Sequence, residues 1–300
     1  MELLDLIHGF LDARRAEGLS AATIQWYADH LSVYYRWLAG QAAPDILARQ
    51  TIAAYYAHRT AQVAPETVDG DHRTLRIFYR WLVSEGHITA SPVDAIKRQP
   101  AKRKIQRRAE LDEFRQLIDS IAPTTWVDLR DRLLIHLLFL CGLRVGEAIG
   151  CNAAAFDVRT KLVTVTGKTG ARLVPLLPPV VESFVAYVYA RPPAEASALF
   201  LSARGDLSPR GVLTANGVRQ MLRRRCQAAG VDYINPHAFR HGLAMYLLNK
   251  GGDMSLVQRV LGHSRITTTA EHYARWLTDD LSREFAERMT DEKIRGKRRG

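Results

Sequence analysis

The chain has 300 residues, enough for two domains, and its 47% hydrophobic and 24% charged residues are typical of an ordinary globular protein. No apolar run reaches the roughly 18 residues that a membrane span requires, and no basic segment of a secretory signal opens the chain, so we expect a cytoplasmic protein. Three scattered cysteines argue against a disulfide framework or a structural metal site. The net charge of +11 and the pI near 9.8 favour a polyanionic partner, most often nucleic acid.

Residues 1–96 are predicted to form a helical domain, because apolar residues recur there at helical spacing. Ser20 is typical of a helix N-cap, and Gly86 is typical of the residue that follows a helix end. The tryptophans of this region favour a core position over base stacking; they are Trp26, Trp37 and Trp81. The predicted helices cover about residues 3–11, 20–38, 51–58 and 66–85.

Residues 97–109 are predicted to be an extended interdomain linker. The stretch 97–108 has seven basic residues, no acidic residue and a proline, and it lacks apolar periodicity. Its charges are either simply solvated or form a strap that follows a DNA backbone, and the position between two helical regions favours the strap. The predicted DNA-binding residues here are Lys97, Arg98, Lys102, Arg103, Lys104, Arg107 and Arg108.

Residues 110–290 are predicted to form a mixed domain, followed by a basic tail over 291–300. Alternation of apolar and polar residues predicts a β-hairpin over 161–176 that turns at 167–170. Helices are predicted at about 110–120, 130–141, 180–190, 218–228, 236–249, 255–261 and 269–288. The predicted fold class is therefore mainly α with a small antiparallel β-sheet, in two domains.

Four separated segments of this second region place polar residues beside strongly apolar ones. A charge directly after a buried helix and a glycine turn, as at Arg144, is costly without an anionic partner. Residues at i, i+3 and i+4 of a helix that begins with a proline share one face, and free N–H groups there favour an anion. The residues in question are Arg144 with Glu147; Lys168; His237 with Arg240 and His241; and His263 with Tyr273.

Each segment alone also has an ordinary explanation: a structural ion pair, a solvated lysine, a hydrogen-bonded histidine or a core tyrosine. Together and in this order they resemble the tyrosine recombinase (phage integrase) family. That family has an arginine in G-L-R-x-x-E, a hairpin lysine, H-x-x-R, and L-G-H before a tyrosine. Here the tyrosine follows His263 by ten residues, where nine is commoner, and the hairpin turn is about one residue shorter than in Xer-type members.

The resemblance implies a helical core-binding domain and a catalytic domain that form a C-shaped clamp around DNA. It implies that Tyr273 attacks a phosphodiester to form a 3′-phosphotyrosyl intermediate, with no metal and no cofactor. The catalytic residues so implied are Arg144, Lys168, His237, Arg240, His263 and Tyr273, and Arg172 is expected to contact DNA. Glu147 is interpreted as a structural partner that orients Arg144 or a neighbouring backbone group.

The resemblance further implies recombination of double-stranded DNA core sites by four protomers on two sites, through a Holliday junction. A C-terminal helix after Tyr273 either docks on a neighbouring protomer or folds back on its own domain. An accessory directionality factor, location at the nucleoid, and the absence of an additional arm-binding domain are expectations of the same kind. Two alternatives use the same residues: a type IB topoisomerase, and a catalytically silent DNA-binding regulator.

Overall fold

The computed structural model describes residues 2–42, 44–96, 107–167, 170–193 and 198–262. The chain divides into two compact units, Met1–Lys104 and Ile105–Gly300. Each unit has its own hydrophobic core. In the part of the chain that the structure describes, no helix is long and apolar enough to cross a membrane.

The first unit contains four helices, as the apolar periodicity predicts. Ser20 accepts a hydrogen bond from the backbone of Thr23 and caps the second helix, and Gly86 follows the fourth with a positive φ of 73°. Both sequence predictions are therefore confirmed. The helices are α1 (Leu3–Ala16), α2 (Ala21–Ala39), α3 (Arg49–Thr60) and α4 (Pro65–Ser84).

Aromatic side chains fill the core of the first unit. The fully buried Phe10 makes edge-to-face contacts with Tyr27, Phe78 and Trp81. Trp81 is buried, and the two other tryptophans pack against the same core. The prediction that the tryptophans are core residues is therefore confirmed.

A buried carboxylate joins three helices of the first unit. Asp71 on α4 is 1% exposed and contacts His30 of α2, with 2.5 Å between Nδ1 and Oδ1, and Arg59 of α3, with 2.8 Å between Nε and Oδ2. Removing one partner of a buried ion pair is costly, because the remaining charges lose their compensation.

The second unit combines helices with two small antiparallel sheets. Its helices are α5 (Leu111–Asp119), α6 (Trp126–Phe139), α7 (Val145–Gly150), α8 (Pro178–Ala190), α9 (Ala215–Ala229), α10 (Pro236–Asn249) and α11 (Met254–Leu261). Its strands are β1 (Phe156–Asp157), β2 (Leu162–Gly167), β3 (Gly170–Pro175), β4 (Leu201–Ala203) and β5 (Pro209–Val212). The first three strands form one sheet in the order β1-β2-β3, and β4 pairs with β5.

The β2–β3 hairpin is confirmed where the sequence predicts it. Its register pairs Val163 with Val174 and Val165 with Arg172. The valines at 163, 165 and 174 face the core of the unit. This face alternation fixes which way the remaining side chains of the hairpin point.

Two aspartates of the first unit are predicted to differ greatly in what they contribute to its stability. Asp71→Ala should lower the free energy of unfolding of that unit by about 3–5 kcal/mol, because His30 and Arg59 lose a buried acceptor. Asp94→Ala also removes a carboxylate that pairs with two arginines, Arg76 and Arg80, but all three side chains are at least 40% exposed. Its expected cost is under about 1 kcal/mol.

Urea unfolding of the full chain, followed by tryptophan fluorescence, measures both variants, since three of the five tryptophans lie in this unit. Equal losses for Asp71→Ala and Asp94→Ala would contradict the stabilising role of the buried cluster.

Candidate active site

The structure brings three of the predicted catalytic residues together from separate segments of the second unit. Arg144 precedes α7, and His237 and Arg240 lie in the first two turns of α10. Lys168, His263 and Tyr273 lie outside the described residues, as do the linker residues 97–106 and the helix predicted at 269–288.

Helix α10 begins where the sequence predicts. Asn235 is its N-cap and accepts a hydrogen bond from the backbone of Ala238, and Pro236 is its first residue. Proline suits this position because its missing N–H would have no intrahelical partner there. His237 is exposed in the first turn, whereas Arg240 and His241 are buried.

Arg240 connects α10 to two other segments of the site. Its side chain is 4% exposed. Nη1 donates to the carbonyl oxygen of Gly142 at 2.5 Å, and Nη2 donates to the carbonyl oxygen of Leu261 at the end of α11. Arg240 therefore holds the turn before Arg144 against the chain segment that leads to His263.

Gly142 makes this close approach possible. It adopts a positive φ of 61°, and a Cβ at this position would lie 2.7 Å from Leu261 and 2.9 Å from Leu243. A larger residue would therefore push α10 and α11 away from the turn. Position 142 therefore requires glycine for two reasons: the positive φ and the lack of space for a Cβ.

Arg144 is held on one side by Glu147 and remains 41% exposed on the other. The Glu147 carboxylate accepts a hydrogen bond from the backbone N–H of Arg144 at 2.9 Å and another from its Nη1 at 2.9 Å. The prediction that Glu147 orients Arg144 is confirmed. The same carboxylate also accepts hydrogen bonds from both terminal nitrogens of Arg172, at 3.0 and 2.8 Å.

The electrostatics of this cluster favour an ionised carboxylate. Burial opposes ionisation of Glu147, but hydrogen bonds from Arg172 and from the Arg144 backbone outweigh it and lower its pKa to about 2. Glu147 is therefore a carboxylate at all physiological pH values.

The pKa of His237 is lowered from its ordinary value. Partial desolvation of the ring is the first cause, followed by the positive charges of Arg240 and Arg144. Arg219 on α9 contributes a third positive charge. A neutral imidazole in a cationic environment can accept a proton near neutral pH. Arg219 is not predicted from the sequence, because nothing in its spacing places it beside α10.

Two linker residues predicted to contact DNA have protein partners in the structure. Arg107 donates to the carbonyl oxygens of Asp232 and Tyr233 and pairs with Glu113, and Arg108 pairs with Glu110 at 2.7 Å.

Arg172 is only 15% exposed, and both its terminal nitrogens are bound to Glu147. The expectation that Arg172 contacts DNA stays a prediction; in the structure its guanidinium fork is bonded within the protein.

Comparison with known proteins supports one family over both units. The model of the phage integrase family matches residues 107–279, and that of the phage integrase N-terminal SAM-like domain matches residues 6–87. Tyrosine recombinase XerC of Rhodospirillum centenum is 36% identical over 66% of this chain and 59% of its own length. The XerC of Xylella fastidiosa is 30% identical over 89% of this chain and 90% of its own length.

A solved structure shares the fold. The Tn1549 transposon integrase, in complex with a circular intermediate DNA, aligns with 92% of this chain and 99% of its own, with a TM-score of 0.71 and 18% identity. The chain therefore belongs to the phage integrase family and is a site-specific tyrosine recombinase of the Xer and integrase type.

Proposed function

We propose that this recombinase cleaves and rejoins double-stranded DNA at core sites through a covalent 3′-phosphotyrosyl bond to Tyr273. The observation that carries the proposal is the proximity of Arg144, His237 and Arg240: Arg240 bonds to the turn before Arg144, and both arginines are near enough to His237 for their charges to lower its pKa. Two guanidinium groups beside a neutral imidazole suit a phosphodiester that is about to be attacked.

Arg144 and Arg240 are proposed to bind the non-bridging oxygens of the scissile phosphate. A guanidinium binds two oxygens at once, which lysine cannot do, and it carries its charge at any physiological pH. The negative charge that grows on these oxygens in the pentacoordinate transition state would be stabilised by both groups. Loss of one such contact is expected to slow cleavage by about a hundredfold or more.

His237, Lys168 and His263 are proposed to handle the protons. A tyrosine with a pKa near 10 is ionised to only about one part in a thousand at pH 7, so Tyr273 needs a base. His237 accepts the phenol proton as the Tyr273 oxygen bonds to phosphorus. The bond to the 5′-oxygen breaks, and Lys168 donates a proton to that leaving oxygen. His263 would hydrogen-bond a phosphate oxygen.

The remaining expectations concern the assembly. We propose 1–96 as the core-binding domain, 97–109 as the basic linker, 110–290 as the catalytic domain and 291–300 as a basic tail. Phosphate contacts are proposed for the linker residues before 105; Arg107, Arg108 and Arg172 would reach DNA only by leaving their present partners. A tetramer on two sites, an accessory directionality factor and a location at the nucleoid complete the proposal.

Covalent trapping tests the nucleophile and finds the site at the same time. The protein is incubated with duplexes that carry a nick near the cleavage position and randomised flanks, and detergent-resistant adducts are recovered and sequenced. The nick lets a short 5′-hydroxyl strand diffuse away, so the adduct accumulates. We expect protease-sensitive adducts in EDTA, because guanidinium groups would stabilise the transition state, and none with Tyr273→Phe.

Adduct formation by Tyr273→Phe would refute the assignment of the tyrosine. A protein that selects a site by binding and yet gives no adduct would be the silent regulator. Relaxation of supercoiled plasmids that lack the selected site, by protein at monomeric concentrations, would instead indicate a topoisomerase.

The lowered pKa of His237 predicts the acid limb of the pH profile. As a base His237 must be neutral, so kcat/KM for cleavage should fall only when the pH drops below the range of an ordinary histidine. Arg219→Gln removes a positive charge that lowers this pKa, so the pKa should rise and the acid limb should move to higher pH.

At subsaturating DNA, the pH dependence of kcat/KM reports the pKa of His237 in the free protein, before a bound phosphate changes that pKa. Arg224→Gln is the matched control, because Arg224 lies on the same helix and does not contribute to the shift at His237. If the acid limb does not move with Arg219→Gln, or if it moves equally with Arg224→Gln, the assignment of His237 as the base is contradicted.

A further inference from the structure

Arg172 shares the Glu147 carboxylate with Arg144, oxygen by oxygen. Oε1 accepts from Nη1 of Arg172 at 3.0 Å and from Nη1 of Arg144 at 2.9 Å. Oε2 accepts from Nη2 of Arg172 at 2.8 Å and from the backbone N–H of Arg144 at 2.9 Å. Each oxygen therefore bridges the two arginines, and a rotation of the carboxylate would break contacts to both.

The position of Arg172 is itself fixed from two sides. Its backbone is paired with Val165 in the central β2–β3 ladder. On the other side, a Cβ at Gly262 would lie 2.7 Å from Cδ of Arg172 and 2.8 Å from its Nε. The arginine is thus confined between its own hairpin and the end of α11.

The carboxylate has equally little room. A Cβ at Gly167 would lie 2.9 Å from Oε1 of Glu147, so the end of β2 abuts it. The Glu147 side chain is 5% exposed, and solvent cannot replace a lost arginine without rearrangement. The geometry of Arg144 therefore depends on where Arg172 holds the carboxylate.

We infer that Arg172 is a positioning residue for strand cleavage, which acts through Glu147 to orient the Arg144 guanidinium toward the scissile phosphate. The inference rests on the proposed role of Arg144. Lysine at 172 would keep the charge but offer one point of contact instead of a fork. The Glu147 carboxylate could then tilt, and the Arg144 guanidinium would move with it. A displacement of about 1 Å at a reacting group lowers the rate by up to about a hundredfold.

A double-mutant cycle on single-turnover cleavage tests this route. The proteins are wild type, Arg172→Lys, Arg144→Lys and the double variant, assayed on a nicked duplex recovered by the trapping experiment. We expect Arg172→Lys to cleave about 10- to 100-fold more slowly. In the Arg144→Lys background the same change should have no further effect beyond about twofold, because its target is already gone.

Binding of the uncleaved site separates positioning from DNA contact. Arg172→Lys should leave the affinity for the site and its dependence on salt unchanged, since a residue that acts only through Glu147 would not touch a phosphate. Arg159→Lys is the matched control, an exposed arginine in the β1–β2 turn, and should cleave at the wild-type rate. If thermal unfolding shows that Arg172→Lys does not fold, Arg172→Gln replaces it, because the amide can still donate to the Glu147 carboxylate but lacks the guanidinium fork.

Three outcomes would overturn the inference: an unchanged rate, a loss that multiplies with that of Arg144→Lys, or a weaker and less salt-dependent affinity for the site. If Arg144→Lys itself cleaves at the wild-type rate, the proposed role of Arg144 fails and the inference falls with it. If Arg144→Lys is slow and Arg172→Lys is not, the inference alone fails.

Discussion

The described part of the site depends on one buried carboxylate, that of Glu147. Burying an ionised carboxylate is expensive unless several donors offset the lost hydration. Here Arg172 supplies two donors and Arg144 two more, and the pKa of Glu147 falls to about 2 in spite of burial.

The need to keep these donors around the Glu147 carboxylate constrains the surrounding fold. A slip of β3 by one residue against Val165 would turn Arg172 to the opposite face of the sheet and leave the charge uncompensated. The hairpin register and the orientation of α7 are therefore set by the same interaction.

Much of this architecture can be predicted from local signals. The start of α10 follows from Asn235 and Pro236, since an amide side chain caps the helix and a proline needs no partner for its nitrogen. The β2–β3 hairpin follows from strict alternation, which places valines on the core face. The position of Glu147 beside Arg144 also follows from the sequence, because residues three apart meet at a helix start. In each case the partner lies within a few residues, so the physical cause is visible in a single sequence.

The predictions fail where the cause is distant or the signal is weak. The ion pair between Arg172 and Glu147 is not predicted, because nothing in the sequence shows that a carboxylate 25 residues away faces this arginine. All four residues of β5 are exposed, so no alternation marks that strand. Helix α6 begins at Trp126, four residues before the predicted start, although the sequence contains a signal for it. Thr125 and Asp128 form a reciprocal cap, which the apolar run further along the helix obscures. Apolar periodicity locates the middle of a helix better than its ends.

The arrangement around Arg144 also explains how an arginine can serve as a prepared binding group at a protein surface. A free arginine side chain loses rotamer entropy worth about 2 kcal/mol when it binds a phosphate. Tying one terminal nitrogen and the backbone N–H to Glu147 removes part of that freedom during folding, while 41% of the side chain stays accessible. Arg240 is also restrained during folding, by the carbonyl oxygens of Gly142 and Leu261, but its side chain is buried. All of these contacts lie within the second unit, so the geometry of Arg144, Glu147 and Arg240 is established by that unit's own fold. Ordering that is complete before DNA arrives lowers the reaction barrier without adding to the cost of binding.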